Sequence, residues 1–528
     1  MRRRTLLKTA LSSAAVFAAP ALVRAEEQMT LRFIPQVDLV YLDPTYTFAY
    51  VTRNHSYLVF DTLYGMDSSF KTSPQMVEGH TIENDGKLWN LTLRPGLTWH
   101  DGTPVLARDC VASIKRWAGR DPFGKTLLEA TDELSAPDDR TIRFRLKYPF
   151  PLLPDALGKS SSPMCAMMPE RLAATDPFKQ VTELVGSGPF RFEAHERVPA
   201  AHNAYERFAG YKPRDGGTPD WTAGPKTTYF DRVVWSTIPD VTTATGALQA
   251  GEQDWIENAS FDLLPMLRQV PDITLVTLDS TGSVGMMAVN HLQPPFDNPA
   301  IRRALFGAID QSELQQALVG SDPSLHHVPL GFFCPNTPMA SDAGLEPLLG
   351  KRDLDRVKAE IKAAGYAGEK VLIMVTNDIP SLKALGDVAA DTMQKVGLNV
   401  DNYALDWGTM LARRNRKEPV DSGGWSAFVT GWAGLDWLNP AVHIAIRGNG
   451  EAGYPGWTTS PRIEQLRDDW FHAPDVKAQQ AICADIQRQA MIDVPYYPLG
   501  QHFQPTAFRK SITGVLNGFP MFWNVRPA

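Results

Sequence analysis

FKTSPQMVEGHTIENDGKLWNLTLRPGLTWHDGTPVLARD, from Phe70 to Asp109, decides the reading of this chain. Trp89, Leu91 and Leu93 alternate with Asn90, Thr92 and Arg94, the period of a strand with one buried face. Pro95-Gly96 marks a turn, Leu97 and Trp99 resume the alternation, and Asp101-Gly102 turns the chain again. Downstream, Ile142, Phe144, Leu146 and Tyr148 alternate with Arg143, Arg145 and Lys147, and Ala107 to Trp117 between them reads as a short helix. Beyond about residue 286 the grammar changes. Asn298-Pro299 fits a helix cap followed by proline at the first helical position, and Ile301, Ala304, Leu305, Ala308 and Ile309 form a helical stripe. Leu354, Val357, Ile361 and Ala364 make a second stripe, stopped at Gly365, and Leu382 to Val396 a third, ended by Gly397. Val371–Val375 and Leu398–Leu405 read as strands among them. Alternating helix and strand argues for an α/β lobe, so the chain holds at least two differently built lobes. Residues 210–226, rich in Gly, Pro, Thr and Asp, read as a surface loop.

Composition narrows the function. The 43% apolar content is ordinary for a globular protein. Arg2, Arg3, Arg4 and Lys8, the apolar stretch Ala10–Val23 and the small-residue end Val23-Arg24-Ala25 predict a cleavable export signal over residues 1–25. Arg3-Arg4-Thr5-Leu6-Leu7-Lys8 fits a twin-arginine signal, with an ordinary secretory signal as the alternative. That segment carries five basic residues and no acid, so its removal moves the formal charge from −7 to −12. Such a balance disfavours nucleic acid and anionic membrane as partners. Cys110, Cys165, Cys334 and Cys483 show no C-x-x-C spacing, and buried free thiols or one disulfide both fit an exported protein.

The Phe70–Asp109 stretch is similar to the signature of the bacterial extracellular solute-binding family 5, which includes oligopeptide-, dipeptide- and nickel-binding proteins. Pro74, Glu78, Asp85-Gly86, Leu93-Arg94, Gly96, Trp99-His100-Asp101-Gly102 and Pro104 carry the likeness. Leu42-Asp43-Pro44, GSGPF (Gly186–Phe190), VNHLQPPFDNPAIRRALFGAID (Val289–Asp310) and GWAGLDWLNP (Gly431–Pro440) follow in the family's order. The resemblance implies a periplasmic binding protein-like two-lobe clamp, type II, in its large three-domain α/β form. It implies a discontinuous domain I (26–55, 182–285 and 496–528), a strand-rich domain II (56–181) and an α/β domain III (286–495). It also implies the periplasmic receptor of an ABC importer, a monomer that hands a small solute to an inner-membrane permease. No cofactor is expected.

The resemblance further implies a ligand site between the lobes. GEQDWIENASF (Gly251–Phe261) resembles a loop that offers a polar group, placing Glu257 or Asn258 there with Trp255 nearby. DWGTMLARR (Asp406–Arg414) supplies Trp407 and Arg414, Trp432 matches a site tryptophan, and Tyr46 and Phe48 lie toward the cleft. In peptide-binding members an aspartate stands three residues after that tryptophan. Here Leu435 occupies the position and Asp436 follows, so the carboxylate is either displaced by one residue or lost. A carboxylate can pair with an ammonium and a bidentate arginine with a carboxylate, which suits a di- or oligopeptide or a similar zwitterion. Read without the resemblance, Trp407 and Trp432 fit a lobe core, Arg414 a solvated basic face and Asp436 a turn.

Three other functions are open to the same residues, one of them a sensor of the same fold that presents its ligand to a membrane receptor instead of an importer. Met164, Cys165, Met167 and Met168 could bind copper(I) and His326-His327 could be ligands, pointing to a metal- or haem-binding relative, although methionines also fill apolar gaps and adjacent histidines rarely face one ion together. A periplasmic enzyme would need a reactive constellation, and no G-x-S-x-G, H-E-x-x-H or S-x-x-K stands in a persuasive setting.

Overall fold

The computed structural model describes residues 28–528; the expected export signal lies outside them. Three sheets organise the chain. A seven-stranded sheet runs in the order Ile273–Val276, Thr506–Arg509, Trp255–Ile256, Thr30–Ile34, Arg232–Ser236, His202–Arg207, Phe190–Phe192. A six-stranded sheet runs His326–His327, Tyr496–His502, Ser283–Val289, Ala427–Ala433, Lys370–Thr376, Asn399–Leu405. A four-stranded antiparallel sheet runs Val77–Glu83, Leu88–Leu93, Thr141–Leu146, Thr131–Ser135.

The four-stranded sheet follows the alternation read from sequence. Trp89, Leu91 and Leu93 are buried; Trp89 and Leu91 pair in register with Phe144 and Ile142, and Leu93 with Val77. The helix Ala107–Ala118 packs against this sheet. Asp109 in its first turn accepts the Leu106 N–H at 3.0 Å, satisfying a donor that the helix start leaves open. In the six-stranded sheet the central strands Lys370–Thr376 and Ser283–Val289 are almost wholly apolar because helices such as Pro380–Lys395 cover them. Asn298 caps the helix Pro299–Phe306 by accepting from the Ala300 N–H at 2.9 Å.

Two expectations change. Strand Tyr496–His502, grouped from sequence with domain I, hydrogen-bonds to Ser283–Val289 in the six-stranded sheet. The C-terminal chain therefore crosses to the seven-stranded sheet between His502 and Thr506. Residues 210–226 are not simply a surface loop. Trp221, Thr222 and Lys226 are buried, and Lys226 Nζ pairs with Asp61 at 2.6 Å. A buried ammonium needs such a partner, and Asp61 is held in turn by the Tyr211 hydroxyl at 3.0 Å. All four cysteines are free thiols and buried.

The family strings act as structural staples. Asp43 is fully buried and takes both ends of the Arg116 guanidinium, at 3.0 and 2.7 Å. It also accepts the N–H groups of Thr45 and Val181 at 2.9 and 2.8 Å. One carboxylate thus ties the opening segment to the helix Ala107–Ala118 and to the segment leading back to the seven-stranded sheet. In GSGPF, a Cβ on Gly186 would stand 1.9 Å from the Val59 carbonyl oxygen, and one on Gly188 2.6 Å from that of Leu58. Only glycine lets this strand of backbone lie so close to the opening helix. His100 of the Trp99–Gly102 turn closes the other side, its Nε2 3.0 Å from the Gly188 carbonyl oxygen.

Candidate functional site in the cleft between the sheets

The helix Tyr50–Val59 packs against the edge strand of the seven-stranded sheet and is buried along most of its length. Its first residue, Tyr50, reaches the body built on the six-stranded sheet. The Tyr50 hydroxyl donates to Asp436 Oδ2 at 2.5 Å and accepts the Ala433 N–H at 2.7 Å. Ala433 ends the strand Ala427–Ala433, and Asp436 lies in the short turn Gly434–Trp437 that follows. Within that turn Leu435 points into the core, 1% exposed, while Asp436 faces the cleft. A carboxylate thus lines the cleft one residue after the position held by Leu435.

The third wall comes from the body of the four-stranded sheet. Asp121 caps the helix Pro122–Ala130 through the Gly124 N–H at 2.9 Å, and its other oxygen pairs with Lys159 Nζ at 2.6 Å. Both side chains are buried and both line the cleft beside Ser162. Phe48 and Trp432 supply its aromatic surfaces, and Val442 and Ile444 its apolar floor. The space they enclose is about 20 Å³, room for about one water, so the walls meet in this conformation.

Burial shapes the charges here. It pushes the Asp436 carboxyl above its ordinary range, while the Tyr50 hydroxyl and the Lys159 and Arg53 charges pull it part-way back. Tyr50 is pushed well up by burial and by the adjacent Asp436. Glu257 lies beneath the opening helix, where burial raises it to about 7 against the pull of the Gln36 backbone N–H, Arg53 and Asn54. Its carboxylate accepts from the Gln36 N–H at 2.7 Å, Gln36 Nε2 at 3.1 Å and Asn54 Nδ2 at 2.8 Å.

The sequence-derived residues separate into groups. Phe48, Trp432 and Asp436 share the cleft. Trp432 is half-buried, donates its indole N–H to Met286 Sδ at 3.1 Å and packs on Tyr454 with ring centres 5.4 Å apart. Arg414 stands behind that ring, its Nη1 3.1 Å from the Tyr454 hydroxyl. Trp407 opens the helix Trp407–Arg413, half-buried, with its backbone N–H bonded to Asp378 at 3.0 Å, outside the cleft lining. Tyr46 packs on Tyr41 with ring centres 5.3 Å apart, and Asn258 is exposed. Trp255 is a core residue. Its ring sits 5.1 Å from Phe33 and 5.5 Å from Phe522, and its indole N–H goes to the Thr506 hydroxyl at 2.7 Å. Chain proximity to Glu257 misplaced it, because the parallel pairing of Trp255 with Phe33 turns the ring inward. Tyr50, Arg53, Asp121 and Lys159 were missed. Their strings carry no motif, and tertiary packing alone brings them together.

Comparison with known proteins places this architecture. The model of the bacterial extracellular solute-binding proteins, family 5, matches residues 71–453. The chain belongs to this family. It is 34% identical over its whole length to a probable peptide ABC transporter periplasmic-binding protein of Sinorhizobium fredii, covering 99% of that relative. A Helicobacter pylori ABC transporter-associated periplasmic binding protein, solved with the peptide STSA, superposes with a TM-score of 0.77 at 20% identity. That match covers 95% of this chain and 98% of the other. A binding protein from Agrobacterium tumefaciens, solved with agropinic acid, gives 0.76 at 21%, covering 94% and 99%. The two-lobe clamp read from sequence is the fold these structures share. As a family 5 protein the chain is a solute-binding component of an ABC transport system rather than an enzyme. Met164, Cys165, Met167 and Met168 are buried in its core, and among the described residues no three His, Cys, Asp or Glu side chains gather as metal ligands.

Proposed function

We propose that this family 5 protein captures a di- or oligopeptide, or a peptide-like zwitterion, in the periplasm and delivers it to an inner-membrane permease. Asp436 carries the reading. It is a buried carboxylate at the cleft wall, held by one tyrosine hydroxyl and in no ion pair among the described residues, since Lys159 of the opposite wall is taken by Asp121, a setting that suits a ligand ammonium. The Sinorhizobium relative and the Helicobacter complex support the peptide class. Phe48 and Trp432 offer faces for apolar side chains. The closed walls fit a clamp that must open to load, with Tyr50 exchanging its bond to Asp436 for the solute. Sheet membership supports a division into three units, the first assembled from three separate stretches of chain. We further propose that residues 1–25 are removed on export and that the mature protein is a monomer.

Calorimetry with a pool of di- to tetrapeptides, free and amino-terminally acetylated, tests the reading. The free pool is expected to bind and the acetylated pool to bind at least tenfold more weakly. Asp436→Asn is expected to abolish that difference. Absence of binding by either pool would overturn the peptide assignment.

A further inference from the structure

Arg53 is a buried cation that acts on the Asp436 and Glu257 carboxyls through space but has no carboxylate in contact. It lies on the opening helix one turn after Tyr50, on the same face, and is 6% exposed. Its guanidinium carbon stands over the Phe519 ring, 4.0 Å from the ring centre, and 5.2 Å from that of Tyr50. Nε and Nη2 share one acceptor, Asn54 Oδ1, at 3.3 and 3.2 Å. Nη1 is buried and has no partner. Among the described residues no carboxylate approaches Arg53 to within the 4.0 Å of an ion pair.

The other buried cations show what is missing. Arg116 has Asp43, Lys226 has Asp61 and Lys159 has Asp121. Arg302 has no carboxylate either, but it donates to the carbonyl oxygens of Phe296, Asp297 and Asp493. Arg53 has neither arrangement. A buried charge persists only when something pairs with it, and here the guanidinium is braced rather than paired. Phe519 holds its face, and the relay Gln36–Glu257–Asn54 holds its Nε edge. The guanidinium also stands beside the Tyr50 ring, whose hydroxyl contacts the cleft carboxylate.

We propose that Arg53 is the anion anchor of the solute site, taking a carboxylate of the bound solute on Nη1 beside Tyr50. Nη1 has two N–H donors and Nη2 keeps one beyond its bond to Asn54, so a carboxylate can take the end of the guanidinium through both nitrogens. Asp436 at the Tyr50 hydroxyl and Arg53 beside the Tyr50 ring then set the two poles of the ligand. The inference rests on the peptide reading only for the choice of probe.

The test is calorimetry on the full chain with a pool of di- to tetrapeptides bearing free carboxyl termini and the same pool amidated. Wild type is expected to bind the acid pool at least tenfold more tightly. Arg53→Gln is expected to bind both pools with the weaker affinity, and Arg53→Lys to keep only part of the preference. Melting curves establish that each variant is folded, and Arg53→Lys carries the test if the glutamine variant does not fold. Equal binding of acid and amide by wild type, or a preference unchanged in a folded variant, overturns the proposal while leaving the peptide reading intact. Failure of both pools ends the peptide reading instead. The small molecules released by denaturing wild type and variant from one periplasmic extract then decide on Arg53. An anionic compound carried by wild type and missing from the variant upholds the anchor. The same compounds on both, or none on either, overturn it.

Discussion

Asp43 and Arg53 stand ten residues apart, both charged and both buried, one surrounded by partners and the other nearly bare. Asp43 has a bidentate guanidinium and two backbone N–H groups. Arg53 has one shared amide oxygen and an unpartnered Nη1. A fully paired buried charge fixes the positions of the segments it joins. An underpaired one is a place where a ligand can complete the set. The contrast separates what builds the clamp from what the clamp is for.

Removing a partner from the completed set should have the largest effect. Asp43→Ala strands the Arg116 guanidinium, whose side chain is 1% exposed, and breaking such a pair destabilises by about 3–5 kcal/mol. The melting temperature is expected to drop, while protein that remains folded binds the free peptide pool as wild type does. A variant that melts normally but binds weakly would erase the distinction between the two residues.

Glu257 sharpens the same comparison through pH. Its carboxyl is raised from 4.5 to about 7 by burial. The folded state therefore holds this proton more tightly than the unfolded state between those values. Stability from this group is fully present below about pH 4.5 and is lost as pH rises through about 7. Glu257→Gln has no such titration, so it should gain on wild type by roughly 3 kcal/mol between pH 4.5 and 7. Denaturation curves of both proteins across that range give the difference directly. A constant difference would mean that Glu257 titrates normally.

How much of this could be read from residues alone depends on the range of the interaction involved. The alternation of Trp89, Leu91 and Leu93 is local and appears unchanged in the sheet. The helix stripes after residue 298 are local too, as is the cap at Asn298. Asp43 was visible as a motif, but not its role, because its partners lie at Arg116 and Val181. The crossing after His502 was misplaced since nothing within Tyr496–His502 says which sheet edge will accept it. Asp436 was visible as an irregular step after Trp432, and only the direction of the turn shows that its carboxylate reaches the cleft. Tyr50, Arg53 and Lys159 had no local signal. What marks them is the pairing, or lack of it, that arises when three bodies meet.

Trp432 and Trp437 offer the finest test of the line between scaffold and site, five residues apart on either side of the Leu435-Asp436 step. Trp437 is fully buried, stacked on His443 with ring centres 4.9 Å apart and planes 20° apart, and packed on Tyr496 at 5.1 Å. Trp432 is half-buried, anchored at its indole N–H by Met286 and presented to the cleft. Truncating a ring that fills a core leaves a cavity, so Trp437→Ala should lower the melting temperature first and binding only as a consequence. Truncating a ring that forms a cleft wall removes ligand contact. Trp432→Ala should stay close to wild type in stability and lose roughly 1–3 kcal/mol of binding, about tenfold to a hundredfold in affinity. The loss has two sources with different signatures. Apolar contact weakens binding of every peptide carrying a large side chain, whereas attraction of a cation to the ring face weakens binding of cationic side chains most. Calorimetry of Trp432→Ala with neutral and with lysine-containing peptides separates them. A folded Trp432→Ala protein that binds both as tightly as wild type would return this tryptophan to the scaffold.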